Sequence, residues 1–109
     1  MIGSQVPATG NATYSVYQGV DKATGVVKYV GITSRNPAVR FGEHAVSETA
    51  KSTLRYSVIK GGTNLSRMDA RIWEQTLINQ FGLGKNGGSL LNLRNEIAPK
   101  YWWQYAISP

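Results

Sequence analysis

The chain has 109 residues, enough for one compact domain with a modest core, and its 41% hydrophobic against 17% charged residues is a globular balance, not a disordered one. With no cysteine and His44 as the only histidine, disulfides, thiolate zinc sites and multi-histidine sites are excluded, so a bound metal has to be hard and oxygen-held, magnesium or manganese. A net charge of +6 and a pI near 9.8 suit a polyanion such as nucleic acid, although the basic residues are dispersed and a basic surface also serves solubility.

Residues 1–12 have neither a basic start nor an apolar core and read as a flexible lead-in to a domain over residues 13–109. No apolar run approaches the ~20 residues of a membrane span. A strand is expected over residues 13–20, rich in aromatic and β-branched side chains. Asp21-Lys22-Ala23-Thr24-Gly25 then makes a turn, and residues 26–33 a second strand. With Val20 opposite Val26, Tyr17 stands opposite Tyr29 on one face, and Gly31 leaves open space beside them. A one-residue slip would put the two rings on opposite faces.

Asn36-Pro37 opens a helix expected over residues 37–50, with Val39, Phe41 and Ala45 toward the core and Arg40 and His44 one turn apart on one face. A short strand is expected over residues 55–59. Ser66 and Asp69 cap a second helix that runs to Phe81 and is stopped by Gly82, with Ala70, Trp73, Leu77 and Phe81 as its apolar stripe and Ile78 at the edge. Glu74, four residues before Ile78, sits beside that stripe, where a carboxylate is either costly or useful. Gly84-Lys85-Asn86-Gly87-Gly88 is a loop, and Leu90, Leu91, Leu93 and Ile97 form an apolar patch punctuated by Asn92 and Asn95. The aromatic end, Tyr101-Trp102-Trp103-Gln104-Tyr105, is expected to pack as a lid more readily than to stack on bases. The order β-β-α-β-α describes a small α/β (α+β) domain with a mainly antiparallel three-stranded sheet flanked by helices.

The chain has no phosphate-binding P-loop, no dinucleotide fingerprint, no H-E-x-x-H pair and no serine on a nucleophile elbow. What remains is two facing tyrosines, an Arg/His helix face and a glutamate at a core edge, and one active site requires the Tyr17, Tyr29, Arg40 and Glu74 side chains to share a face. Phosphodiester hydrolysis needs a base for the attacking water, positive charge for the phosphorane, help for the leaving oxygen and fixed geometry. Arg40 can grip phosphate with a planar fork, and Glu74 can hold one magnesium ion whose other positions are filled by water and phosphate. Taken singly, each has a plainer reading: packing tyrosines, a solvated Arg/His face, a Glu74–Arg71 surface pair, turn-forming asparagines.

Ser15-Val16-Tyr17, Tyr29-Val30-Gly31, Arg40-Phe41-Gly42-Glu43-His44, Glu74 and a late asparagine, in that order, resemble the GIY-YIG nuclease superfamily over about residues 14–97. The first triplet reads SVY for GIY and the second YVG for YIG. The resemblance implies a divalent-metal-dependent endonuclease with Tyr17 as general base or water-positioning group, Tyr29 on the scissile phosphate or a water, and Arg40 stabilising the transition state. It implies further that His44 assists in proton transfer or phosphate contact, that Glu74 is the sole protein ligand of Mg2+ or Mn2+, and that Asn92, or Asn95, braces the site.

Nothing beyond this module is left to read a base sequence, which points to low specificity or to a fragment of something larger. Residues 74–97 also look like the C-terminal toxin domains of bacterial polymorphic toxins of the Rhs and contact-dependent inhibition types. That likeness implies an effector domain delivered into a target cell and a cognate acidic immunity protein; the domain is expected to be monomeric and to take DNA in preference to RNA. The alternatives are an RNase of the same fold acting on tRNA, a housekeeping cytoplasmic repair enzyme, and a binding module without catalysis.

Overall fold

The computed structural model describes residues 13–109, so the lead-in expected over residues 1–12 lies outside the described residues. Three strands, β1 (Ser15–Asp21), β2 (Val27–Thr33) and β3 (Leu54–Val58), form one antiparallel sheet in the order β2-β1-β3. Two helices, α1 (Pro37–Ala45) and α2 (Arg67–Phe81), complete the order read from the sequence. None of the helices among the described residues is long and apolar enough to cross a membrane.

Asp21 closes the β1–β2 turn by accepting the backbone N–H groups of Ala23 (2.8 Å) and Thr24 (2.9 Å) at its carboxylate, and Gly25 supplies the positive φ of 75° that the return requires. The register differs from the expected one. Val20 pairs with Val27, Gly19 with Tyr29 and Tyr17 with Gly31, with a bulge between Gly19 and Val20. The turn is one residue longer than expected and the bulge takes in Lys28, so the two slips add to two and the face parity returns. Tyr17 and Tyr29 therefore share a face as diagonal neighbours, ring centroids 6.1 Å apart, not as direct partners. The space expected beside Gly31 is filled: the Tyr17 ring lies across it, and a Cβ there would stand 2.6 Å from Tyr17 Oη.

Asn36 caps α1 by accepting the Ala38 N–H, with Pro37 in the first turn as expected. The helix stops at Ala45 instead of residue 50, because Ser47 and Thr49 bond each other (2.9 Å) and Thr49 caps a separate 3₁₀ turn, Ala50–Thr53. Val39 and Ala45 are exposed, and Phe41 and His44 are the α1 residues that pack against the tyrosine face.

The opposite face carries Val16 and Val30, both fully buried, and is covered by α2. Ser66 caps α2 through the Asp69 N–H, and Gly82 ends it, both as expected. Its buried side is Ala70, Glu74, Gln75 and Ile78, while Trp73, Leu77 and Phe81 are only partly covered, so the stripe is rotated toward Glu74. Ile78 packs with Val30, Leu83 and Leu90 in the aliphatic core. Residues 89–92 close the outer edge of β2: Ser89 Oγ donates to Val27 O, Leu91 N–H to Lys28 O, and the Asn92 amide pairs with both backbone groups of Val30. The C-terminal aromatics divide. Trp102 packs and donates from Nε1 to Ile97 O, whereas Trp103 is 81% exposed and is no lid. Leu93, expected in the apolar patch, is likewise exposed.

Candidate functional site

The tyrosine face is an aromatic cluster built from both sides. Tyr17 comes from β1, Tyr29 from β2, Tyr56 from β3, and Phe41 and His44 from α1. Gly19 and Gly31 make the assembly possible, since a Cβ at either would stand 2.6 Å from a tyrosine ring, Tyr56 and Tyr17 respectively. His44 stacks on Tyr56 (centroids 4.8 Å, 17° between planes) and meets Tyr29 edge-on at 5.3 Å. Its Nε2 is hydrogen-bonded to Tyr17 Oη at 2.8 Å.

Two assignments made from the sequence meet difficulty here. Tyr17 is 1% exposed, and burial, followed by the Tyr29 phenol beside it, pushes its own phenol well above the ordinary range, with the neighbouring Arg40 guanidinium offsetting only part. A general base needs the reverse, an accessible group with a lowered pKa. His44 is buried too, and burial, then the positive charges of Arg40 and Lys51, hold its imidazole down at about 4. Near neutral pH it is an uncharged hydrogen-bond partner of Tyr17 and has no open path to a phosphate. Tyr17 and His44 form the floor of the site, not its wetted wall.

Arg40 stands close to the Tyr17 phenol and its charge acts on that of Tyr29, in line with the one-face reading, but it is not free. Its guanidinium bonds Glu43 at 3.0 Å, and Glu43 also accepts two bonds from Arg35, at 2.7 and 3.0 Å. The two guanidiniums, Arg35 first, hold the Glu43 carboxyl down at about 2.

Glu74 reaches the site by another route. It projects from the helix that covers the aliphatic face, so it does not share the tyrosine face as expected. It lines a cleft of about 710 Å³ at the outer edge of β2 whose wall also includes Tyr29, Lys51, Asn92, Arg94 and Glu96. Tyr29 is thus the residue common to the aromatic cluster and the cleft. The surface pair with Arg71 does not form, because Arg71 binds Glu96 instead, through Nε to the carboxylate and through the guanidinium to Glu96 O, both at 3.0 Å. Glu74 Oε1 is buried with no hydrogen-bond partner, and burial, then the Glu96 charge, push its carboxyl up to about 8.

An orphaned carboxyl oxygen beside a cleft is a site for a proton or a hard cation. Glu74 therefore fits the single-carboxylate contact to a divalent ion that the resemblance implies. Among the described residues no three acidic, histidine or cysteine side chains gather into a fuller cage.

The asparagines separate cleanly. Asn92 lines the cleft and braces the β2 edge from both sides of the Val30 peptide, at 3.1 and 2.8 Å. Asn95 accepts from Gln75, away from that edge. Three residues join the site without having been expected there: Tyr56, Lys51 and Gln75. Tyr56 had a signal, being one residue into the short third strand at the parity that faces its neighbours' tyrosines. Lys51 had none, since its place depends on where α1 stops. Gln75 is fully buried, its carbonyl oxygen accepting from the N–H groups of Glu96 (2.7 Å) and Ile97 (2.8 Å) and its amide donating to Asn79 and Asn95 (each 2.9 Å).

Comparison with protein-family models, with curated proteins and with solved structures gives no match.

Proposed function

We propose that the protein is a divalent-metal-dependent endonuclease of GIY-YIG type, working in the cleft between Tyr29 and Glu74. The observation that carries this reading is the buried, unpartnered Glu74 carboxyl oxygen in a cleft whose other lining includes a phenol and two cations. The ordered motif residues and the small antiparallel α+β fold support it.

Glu74 would hold a divalent ion, magnesium or manganese, which when bound supplies positive charge against the phosphate oxygens and the charge that develops on them. The chain's own residues do the positioning. Tyr29 offers its phenol to the phosphate or to the attacking water at the cleft wall. Arg40, whose charge acts on both phenols, adds positive potential. Tyr17 and His44 hold the ring stack in place through their mutual hydrogen bond and leave solvent no volume beneath it. Asn92 fixes the strand that carries Tyr29. The nucleophile in this reading is water, with no covalent enzyme intermediate, and Tyr29 is the phenol at the cleft wall that would receive its proton.

Purified protein incubated with supercoiled plasmid and magnesium is expected to nick and linearise it, and Glu74→Gln to leave it intact while keeping a native circular-dichroism spectrum. Plasmid left intact by the wild type with either metal sinks the DNase reading. Tyr29→Phe is expected to cost more activity than Tyr17→Phe, since only Tyr29 lines the cleft. Total nucleic acid from cells expressing the chain, run on one gel, separates DNA from RNA as the target.

That the domain is a toxin delivered into a competing cell, countered by an acidic immunity protein, rests on the resemblance and on the basic charge. Toxicity on expression, relieved by the product of a neighbouring gene, is the test.

A further inference from the structure

We propose that Lys51, held in place by Tyr56 and Tyr29, is a phosphate-gripping residue of the cleft, and that with Arg94 it seats the phosphodiester backbone of the nucleic acid. This rests on the nuclease reading above for its substrate but on separate residues for its grounds.

Lys51 lies in the Ala50–Thr53 turn, and its restraint begins at the backbone. Thr49 Oγ1 accepts its N–H at 3.3 Å, and the Tyr56 hydroxyl donates to its carbonyl at 2.6 Å. At the far end of the side chain, the ammonium sits 4.5 Å from the centre of the Tyr29 ring. A solvated surface lysine loses rotamer entropy if it is fixed, and is usually left free. Here a hydroxyl at one end and a ring face at the other fix both, and they direct the charge into the cleft that Glu74 lines.

The charges of the cleft leave Lys51 available. Glu96 is engaged by Arg71, and among the described residues neither Lys51 nor Arg94 forms an ion pair. Lys51 and Arg94, with the Arg71 that binds Glu96, outnumber the Glu74 and Glu96 carboxylates three to two, so the cleft is net positive without metal and accepts an anion on its own. With a cation on Glu74, the phosphate has positive charge on both sides.

Tyr56 acts through Lys51 and is a positioning residue. It stacks on His44 with its ring while its hydroxyl holds the turn, and so ties the aromatic floor to the cation of the wall. His44 and Lys51 also share a neighbour in Tyr29, which makes one connected unit of the cluster.

The test is binding of a labelled DNA duplex by the full chain in EDTA, measured by anisotropy over a range of salt. Lys51→Ala is expected to weaken binding about tenfold and to flatten the slope of log K against log salt by about 0.9, the value of one lost phosphate contact. Lys51→Arg retains both. Tyr56→Phe, which keeps the His44 stack, loses part of the affinity without a matching fall in melting temperature. Lys22→Ala, an equal loss of charge in the exposed β1–β2 turn, changes binding little. The proposal is overturned if Lys51→Ala and Lys22→Ala lose equally, if Tyr56→Phe binds as the wild type does, or if the wild type binds no duplex. Plasmid cleavage with unaltered Lys51→Ala binding overturns Lys51 alone, and binding that needs Lys51 in a protein that never cuts overturns the nuclease reading alone.

Discussion

At Glu74 the protein buries a carboxyl oxygen that nothing in the fold answers, and its carboxyl rises to about 8 from an ordinary value of 4.5. A raised carboxyl favours the folded state while protonated, so this contribution is full below the unfolded value near 4.5 and is lost as pH rises through about 8. His44 runs the other way. With its imidazole lowered from 6.5 to about 4, its contribution is full above 6.5 and is lost as pH falls through about 4. Glu74→Gln keeps the shape and removes the charge. It is expected to raise stability by roughly 2 kcal/mol at pH 9, less than the whole displacement implies because the cleft admits water, and to change little at pH 5. Magnesium should raise the melting temperature of the wild type at pH 9 and not that of Glu74→Gln. Parallel pH–stability curves for the two proteins would show that Glu74 is solvated after all.

At the scale of the elements, the sheet face depends on two close approaches. Gly31 and Gly19 let the Tyr17 and Tyr56 rings lie flat across the strands, and the bulge at Lys28 restores the parity that the longer turn had shifted. Gly31→Ala places a Cβ 2.6 Å from a fully packed ring, so the ring or the strand has to move. The expected cost is about 1–3 kcal/mol, in the range of core overpacking, read as a lower urea midpoint with an unchanged m-value. An unchanged midpoint would mean that the Tyr17 ring is free to give way. The same approach explains what could be read beforehand and what could not. The tyrosines, the capping residues Asn36 and Ser66, and the stop at Gly82 carry their signals locally, in residue type and spacing. The pairing partner of Tyr17 did not, because turn length and bulge are decided by how the strands pack. The end of α1 was missed for a similar reason: Ser47 and Thr49 bond each other in competition with the helix, and with them went the place of Lys51.

For the molecule as a whole, the site is divided between two layers. The aromatic layer and α1 supply Tyr29 and Arg40, the layer beneath the aliphatic face supplies Glu74, and the outer edge of β2 is where the two meet. The sequence order of the motif revealed the members of the set but not this division, since Glu74 was expected on the tyrosine face and arrives around an edge. That edge would be an open row of backbone donors and acceptors, a place for unwanted strand pairing, were it not covered by residues 89–92. Asn92 is the main clasp, its carboxamide matching one peptide with one donor and one acceptor. Asn92→Asp keeps the acceptor for the Val30 N–H and loses the donor to Val30 O, while Asn92→Ala loses both. The expected order of stability is therefore wild type, then Asp, then Ala, with roughly 1–3 kcal/mol between the ends. Asn92→Ala should also associate at high protein concentration, because the freed edge of β2 can pair with its copy. Light scattering across a concentration series reads this directly, and an Asn92→Ala protein that stays as disperse as the wild type would show that Ser89 and Leu91 close the edge without it.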